Sequence, residues 1–536
     1  MVKTKKAHSV VVDKLKLRKE LYLQTVHHVN LLLGKDSKPI LAYKANYEST
    51  FDTKWTKSTK DLLIKRIEGS KIVFMGDFHA LQQSQKTHLR ILKSLKNKKI
   101  ILAVECIQMK DQKHLDHFLA GKITEGDFLR NIRWQKTWGF PWENYKPLFR
   151  WAQKNQVRML ALNKITDSLV QRDKQAAKIV GRSVQQNKDF PHFVIYGDLH
   201  ISKGHLPQKI KQQANVKYSE MTSLFQNSEK IYFEAVKLFD DSKVDVVQLN
   251  KNEFCIVNVP PWVKWQNYLL YLENQIDSNL EDDMIELSDY VAQLQKVIAD
   301  DLGVEIKTNN ISVITGKDIQ LIKKISLNYS EADKKWLLAM VKNNDTFYLP
   351  EWQLGFLGRP TVNFSAEIAM SILHSQLSKA KKFPMKMPEQ FKVLIWINAV
   401  NYFGSKLINP KRKTDTISDI KQSLMKHSPE DYGTEVLKLA LQQKMNDLLY
   451  LSQKQKLPRS FVARSKTSYR MAAKILGGIL GEKLYFGFSN GRLSRSTLMS
   501  LISKTIDFTD FDLIYNEILE IIENLPEPFL SKTEKI

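Results

Sequence analysis

"FMGDFH", residues 74–79, ends an apolar run on Gly76 and follows it at once with Asp77 and His79. The same device returns as "IYGDLH", residues 195–200, with Gly197, Asp198 and His200. Each copy closes a short run that reads as a buried strand: "KIVFMG" at 71–76 and "HFVIYG" at 192–197. Two further runs have the same character, "KIILAVE" at 99–105 and "VRMLALN" at 157–163. Strands buried on both faces read as nearly unbroken apolar runs. Here they alternate with polar, helix-like stretches such as "HALQQSQKTHLRILKSLKNK" and "WENYKPLFRWAQKNQ". That alternation predicts an α/β domain: a parallel-centred sheet with helices on both faces.

In such a sheet, side chains at the carboxyl ends of the strands share one crevice, and ligands bind there. A glycine lets the backbone turn sharply out of the strand. Asp77, His79, Asp198 and His200 are therefore expected at one sheet edge, joined by Glu105 from "AVEC". Imidazoles and carboxylates from three strands form a ligand set for Zn, Mn, Fe or Co. A bound divalent ion would acidify a water, leaving a carboxylate to act as base. The same groups also suit a metal-free acid–base pair of His and Glu. The alternative is local: each Asp caps the helix that follows, and each His packs nearby. Arg172 and Asp173, which start "RDKQAAKIV", and His205, in "KGHLP", are candidate binding residues of the same crevice. Trp134, Trp138, Trp142, Tyr145 and Trp151 precede the fourth strand. They read as core packing, or as cover for a flat apolar ligand.

Composition sets the frame. The 536 residues exceed what one core accommodates. A formal charge of +25, from 82 Lys and Arg against 57 Asp and Glu, favours anionic partners or a lysine-rich surface. The two cysteines, Cys106 and Cys255, imply neither a disulfide framework nor a thiolate zinc site. No charge-free apolar run approaches the length of a membrane span. The first residues lack the apolar core of a secretion signal. A cytoplasmic protein is the expectation.

Residues 70–260 resemble the ChaN-like haem-binding family of bacterial proteins. The pieces that carry the resemblance are "VFMGDFHALQQSQ", "ILAVECIQMKDQKHLDHFLAGKI", "WENYKPLFRWAQKNQVRMLALN", "RDKQAAKIV" and "FVIYGDLHISKGHLPQKI". More distantly the same motifs resemble the Tiki/TraB and erythromycin esterase groups. The shared hallmark falls on Gly76, His79, Glu105, Gly197 and His200. The resemblance implies haem binding, metal-dependent hydrolysis as in the Tiki group, or water activation by His and Glu as in the esterases. The family's first motif usually carries Glu where this chain has Asp77, one methylene shorter. No lipobox accompanies the motifs. The leading expectation is a metal-dependent hydrolase acting on a small molecule or peptide. His79, Glu105 and His200 would be catalytic, and His79, His200, Glu105, Asp77 and Asp198 would be metal ligands. A non-catalytic haem-binding protein is the alternative.

The expected organisation is a helical or extended lead-in over 1–69, the α/β domain over 70–265, an acidic segment over 266–330, and a mainly α-helical C-terminal domain over 331–536. Two further strands, at 243–249 and 253–259, suit a hairpin near the end of the α/β domain. Residues 277–305 hold nine acids and one lysine, with Met284, Leu287, Val291, Leu294 and Ile298 at helical spacing. "NNISVITGKDIQLIKKISL" reads as one more strand and helix, and the pattern beyond about 330 is helical. Residues 371–426 hold eleven cations and three acids. They are expected to face the acidic helix or an anionic partner, nucleic acid or a phospholipid surface. Gly477 and Gly481 in "ILGGILG" predict close helix packing.

Overall fold

The computed structural model describes residues 2–96, 99–165, 168–239, 244–273, 287–306, 312–426, 432–453, 462–463 and 465–526. The chain divides into two compact units. One comprises Tyr22–Leu272 with the last two residues, and the other comprises Met1–Leu21 with Glu273–Glu534.

The first unit is built on an eight-stranded sheet. Its strands are β1 (Thr56–Ser58), β2 (Ile72–Asp77), β3 (Ile101–Gln108), β4 (Arg158–Asn163), β5 (His192–Gly197), β6 (Met221–Gln226), β7 (Val246–Asn250) and β8 (Glu253–Ile256). The order across the sheet is β1-β7-β8-β6-β2-β5-β3-β4. The six strands from β8 to β4 run parallel, and β7 with β1 adds an antiparallel edge. Every residue of β2, β3 and β5 is buried, as the unbroken apolar runs require. Val73 and Met75 of β2 share a core with Ile91, Leu92, Phe118, Phe128, Trp134, Trp142, Tyr145 and Phe149. The helix Gln82–Ser94 buries Ser84, Gln85, Thr87, His88, Ile91 and Leu92, one stripe at helical spacing.

Two strands escape sequence reading. β1 has only three residues. β6 reads "MTSLFQ", too polar to stand out, yet it is wholly buried beside β2. The expected hairpin is present as β7 and β8. The chain leaves β2 for β3 and β4, returns to β5 between β2 and β3, then crosses to β6 on the far side of β2. In open α/β sheets ligands bind where the strand order reverses, which here is at the carboxyl ends of β2 and β5.

The second unit is mainly helical. The strand expected in "NNISVITGKDIQLIKKISL" is β9 (Ser312–Thr315), and two short strands that the sequence did not show, β10 (Phe347–Leu349) and β11 (Leu354–Leu357), join it in a small sheet. Strands this short leave no period for a sequence pattern to reveal. The acidic segment is described from Leu287, as the helix Leu287–Leu302; Met284 lies outside the described residues. Its Asp301 pairs with the buried Arg18. Cations of the basic stretch pair elsewhere within the unit: Lys406 with Glu482, Arg412 with Glu367, and Lys392 with Asp512. No helix among the described residues is long and apolar enough to cross a membrane.

The helices Phe391–Ile408 and Lys466–Ser489 meet at Gly477 and Gly481. A Cβ on Gly481 would stand 2.5 Å from the Ala399 carbonyl oxygen, and one on Gly477 2.5 Å from Asn398 Cβ. Backbone cannot yield as a side-chain tip can, so Gly481→Ala should cost about 1–3 kcal/mol. Urea unfolding at neutral pH measures that loss.

Candidate functional site

Asp77 and Gly197 are register partners at the ends of β2 and β5. Glu105 follows Val104, the last residue of β3 paired with β5, where the pairing of β3 with β4 is also interrupted. Such an irregularity re-aims a side chain at a strand end. The sheet therefore brings Asp77, His79, Glu105, Asp198 and His200 to one edge.

The histidines are held alike. His79 Nδ1 lies 2.8 Å from Asp77 Oδ2, and His200 Nδ1 lies 2.6 Å from Asp173 Oδ1. A carboxylate only accepts, so each Nδ1 carries the proton and a neutral ring presents a bare Nε2. Buried groups fix both carboxylates. Asp77 accepts from Gln85 and lies within 3.5 Å of the Tyr145 hydroxyl. Asp173 accepts from the Tyr43 hydroxyl at 2.9 Å and from Lys209 at 3.3 Å.

Glu105 stands between the two pairs. Its Oε2 accepts from the Gly197 N–H at 2.7 Å, and its Oε1 is bound to the Arg172 guanidinium. Oε2 is also 3.7 Å from His79 Nε2. Consecutive Arg172 and Asp173, on the helix Leu169–Gln186, thus serve different partners. A Cβ at Gly197 would lie 3.4 Å from both Glu105 Oε2 and His79 Nε2, and 3.6 Å from His200 Cδ2. The point above this glycine is where the imidazoles and the carboxylate converge.

Burial pulls the His79 pKa down, but the hydrogen bond and charge of Asp77, with the charge of Glu105, outweigh it and leave the pKa raised above 6.5. His205 is stacked on Tyr43 at 3.8 Å, with Nε2 3.2 Å from Asn46 Nδ2, so it walls the His200 side. Burial lowers its pKa. Trp138 and Phe140 flank His79, with ring centroids at 4.6 and 5.3 Å. Trp134, Trp142, Tyr145 and Trp151 are core residues, so the aromatic cluster divides between packing and site. Phe140 stacks on Tyr271 at 4.7 Å, and Phe78 meets Trp265 and Tyr268 edge-on, extending a half-exposed aromatic row.

The expected metal centre is not assembled: among the described residues no three His, Cys, Asp or Glu are arranged to hold a metal ion. The hydrogen bonds give the reason. Both oxygens of Glu105 and of Asp77 already have partners. Asp198 packs against Gly76, where a Cβ would come within 1.8 Å of its Oδ1. Both Asp198 oxygens are buried with no hydrogen-bond partner among the described residues. Sequence reasoning missed Tyr43, Gln85, Phe140, Lys209 and Tyr271. Of the two aromatic residues that flank His79, Trp138 was singled out in the sequence by its aromatic neighbours and Phe140 was not.

Residues 63–171 match the family model described as haem-binding uptake, Tiki superfamily, ChaN. The match spans about a fifth of the chain and is a similarity over those residues. Among solved structures, ChaN of Campylobacter jejuni, described as binding heme cofacially, is similar at 13% identity. That match covers 32% of this chain and 88% of the other, with a TM-score of 0.25. No curated protein matches.

Burial is the largest influence on Asp198 and raises its pKa from 3.8 to about 7. The folded state then holds a proton that the unfolded chain releases. By linkage, this group's contribution to stability falls as pH rises from about 4 to about 7. Asp198→Asn should therefore gain stability relative to the parent across that interval, on the order of 3 kcal/mol. Urea unfolding at both ends of the range measures the difference.

Proposed function

We propose that this chain is a haem-binding protein of the ChaN type, with His79 facing the ligand at the carboxyl edge of the parallel sheet. The observation that carries this reading is that the span matching the haem-binding family includes His79, whose Nδ1–H is held by a buried carboxylate. Donation of the second ring nitrogen to a carboxylate fixes the tautomer and strengthens imidazole as an iron ligand. The residues present fit such a group better than a divalent ion. Nε2 is the bare nitrogen of a side chain 24% exposed, and half-exposed Trp138, Phe140 and Tyr271 offer apolar ring surface beside it. Bound haem would supply an iron centre for ligand binding or electron transfer. Asp77 orients the imidazole, and the aromatic row keeps water from one side of a flat ligand.

Haem titration followed at the Soret band tests this. His79→Ala should abolish the imidazole-ligated spectrum, and Asp77→Asn should weaken affinity about tenfold or more. Protonated Nε2 cannot bind iron, so affinity should hold at about pH 9 and fall by about pH 6, as pH drops through the raised His79 pKa. Unchanged spectra in His79→Ala would sink the assignment.

A second reading rests on the convergence above Gly197. Two Asp-oriented imidazoles with Glu105 beside them could activate a water for metal-free hydrolysis of a small molecule or peptide. Here Glu105→Gln separates the readings. It should lower turnover of a p-nitrophenyl ester by about 10²–10⁴-fold if Glu105 acts in catalysis, and leave haem affinity near that of the parent.

A further inference from the structure

Within the first unit the chain passes from the helix that ends at Leu33 to the helix Lys38–Ser49 through a turn at 34–37. Each helix has its packed face. Thr25 and Val29 are buried on the first, one helical stripe, and Tyr43 and Tyr47 on the second. Tyr43 donates to Asp173, and Tyr47 packs edge-on against Phe51 and Phe225. The turn and the helix ends beside it have no such face: from Asn30 to Ala42 no residue is buried. Yet this span reads "NLLLGKDSKPILA" and holds Leu31, Leu32, Leu33, Ile40 and Leu41. Leu31 is 65% exposed, Leu33 49% and Leu41 52%. A single exposed leucine is ordinary, but a cluster of this kind around one turn marks a contact surface.

Charge and neighbours select the partner. Asp36 is the one acid between Leu21 and Tyr47, against Lys35, Lys38 and Lys44. It pairs with Lys44, which leaves Lys35 and Lys38 exposed and without an ion-pair partner among the described residues. Burial, and then the charge of Asp36, raise the pKa of Tyr268, so the turn stands near the half-exposed Trp265, Tyr268 and Tyr271. Leucines at a projecting turn, with tyrosine and tryptophan beside them and lysines among them, make up a membrane-interface surface. Aliphatic groups enter the acyl boundary, amphipathic rings sit at headgroup level, and cations meet anionic headgroups. A protein partner fits less well, because lysine is depleted from protein interfaces.

We propose that this turn docks the first unit on an anionic lipid surface, with Leu31, Leu33 and Leu41 seated in the acyl boundary and Lys35 and Lys38 among the headgroups. Tyr268 meets Phe78, the neighbour of His79, edge-on at 5.4 Å, so docking brings the crevice close to the lipid. Delivery of an apolar ligand from lipid to that crevice would rest on the haem reading; the docking itself does not.

Vesicle flotation of the full-length chain, without added haem and at physiological ionic strength, tests the proposal. Vesicles of phosphatidylcholine with phosphatidylglycerol should bind the chain, and phosphatidylcholine alone should bind it about tenfold or more weakly. A basic chain can adhere to anionic vesicles by charge alone, so the deciding variants leave the charge unchanged. Leu31→Ser with Leu33→Ser should weaken binding to the mixed vesicles by about tenfold or more, and Leu41→Ser by about fivefold. Lys35→Glu with Lys38→Glu should weaken it by about tenfold or more. Circular dichroism shows whether each variant has folded, and Leu41→Ser, on the other helix, decides if the double leucine variant has not. Absence of vesicle binding, equal binding to both lipid compositions, or binding unchanged by the leucine substitutions would each overturn the assignment. So would a dimer in sedimentation velocity that the leucine substitutions convert to monomer, since a second copy of the chain would then cover the turn.

Discussion

The Glu105 carboxylate joins three elements that the chain delivers separately. It leaves β3, accepts the Gly197 N–H at the end of β5, and holds Arg172 on the helix that follows β4. Its burial is tolerable because both oxygens are occupied by a backbone donor and a cation; an unpaired buried carboxylate would take a proton instead. Asp198 shows the contrast within the same crevice. Equally buried and unpartnered, it is shifted to about pH 7. Of these two carboxylates beside Gly197, one is held by donors and the other has none among the described residues.

The pairing of each imidazole with its own aspartate fixes the chemistry of the crevice. Asp77 and Asp173 orient the rings, so the nitrogens left for a ligand are the two Nε2 atoms. Carboxylates committed to orienting histidines and to an arginine are poor candidates for metal coordination. This is why a donor set that reads as a metal site by composition fits an imidazole ligand or an acid–base pair by geometry. Aromatic rings from the turn before the helix Trp142–Lys154 and from the helix Pro261–Glu273 line the His79 side.

The helical unit is organised by the opposite use of charge. Lys406 with Glu482, and Lys444 and Lys483 with Glu523, are buried pairs rather than surface ones. Breaking such a pair strands a charge in a medium that solvates it poorly, so these contacts act more on specificity of packing than on net stability. The basic stretch 371–426 accordingly spends several of its cations inside the fold.

Sequence alone determined the parallel core and the edge at which the chemistry gathers. Buried parallel strands must be apolar throughout, and a glycine must follow where the backbone turns away. Those two constraints leave "KIVFMGD" and "HFVIYGD" legible in a single chain. Gly477 and Gly481 were legible for a similar reason, since close helix contact excludes a Cβ. Tertiary structure alone decided which carboxylate serves which histidine. Asp77 is two residues from His79, but Asp173 is brought to His200 from another helix, and Tyr43 reaches Asp173 from a helix that precedes the sheet. No local pattern records such distant pairings. The sequence grouped Asp77 with Asp198 as candidate ligands and set Asp173 apart as a binding residue; burial and partners instead group Asp77 with Asp173, which orient imidazoles, and leave Asp198 without a partner among the described residues.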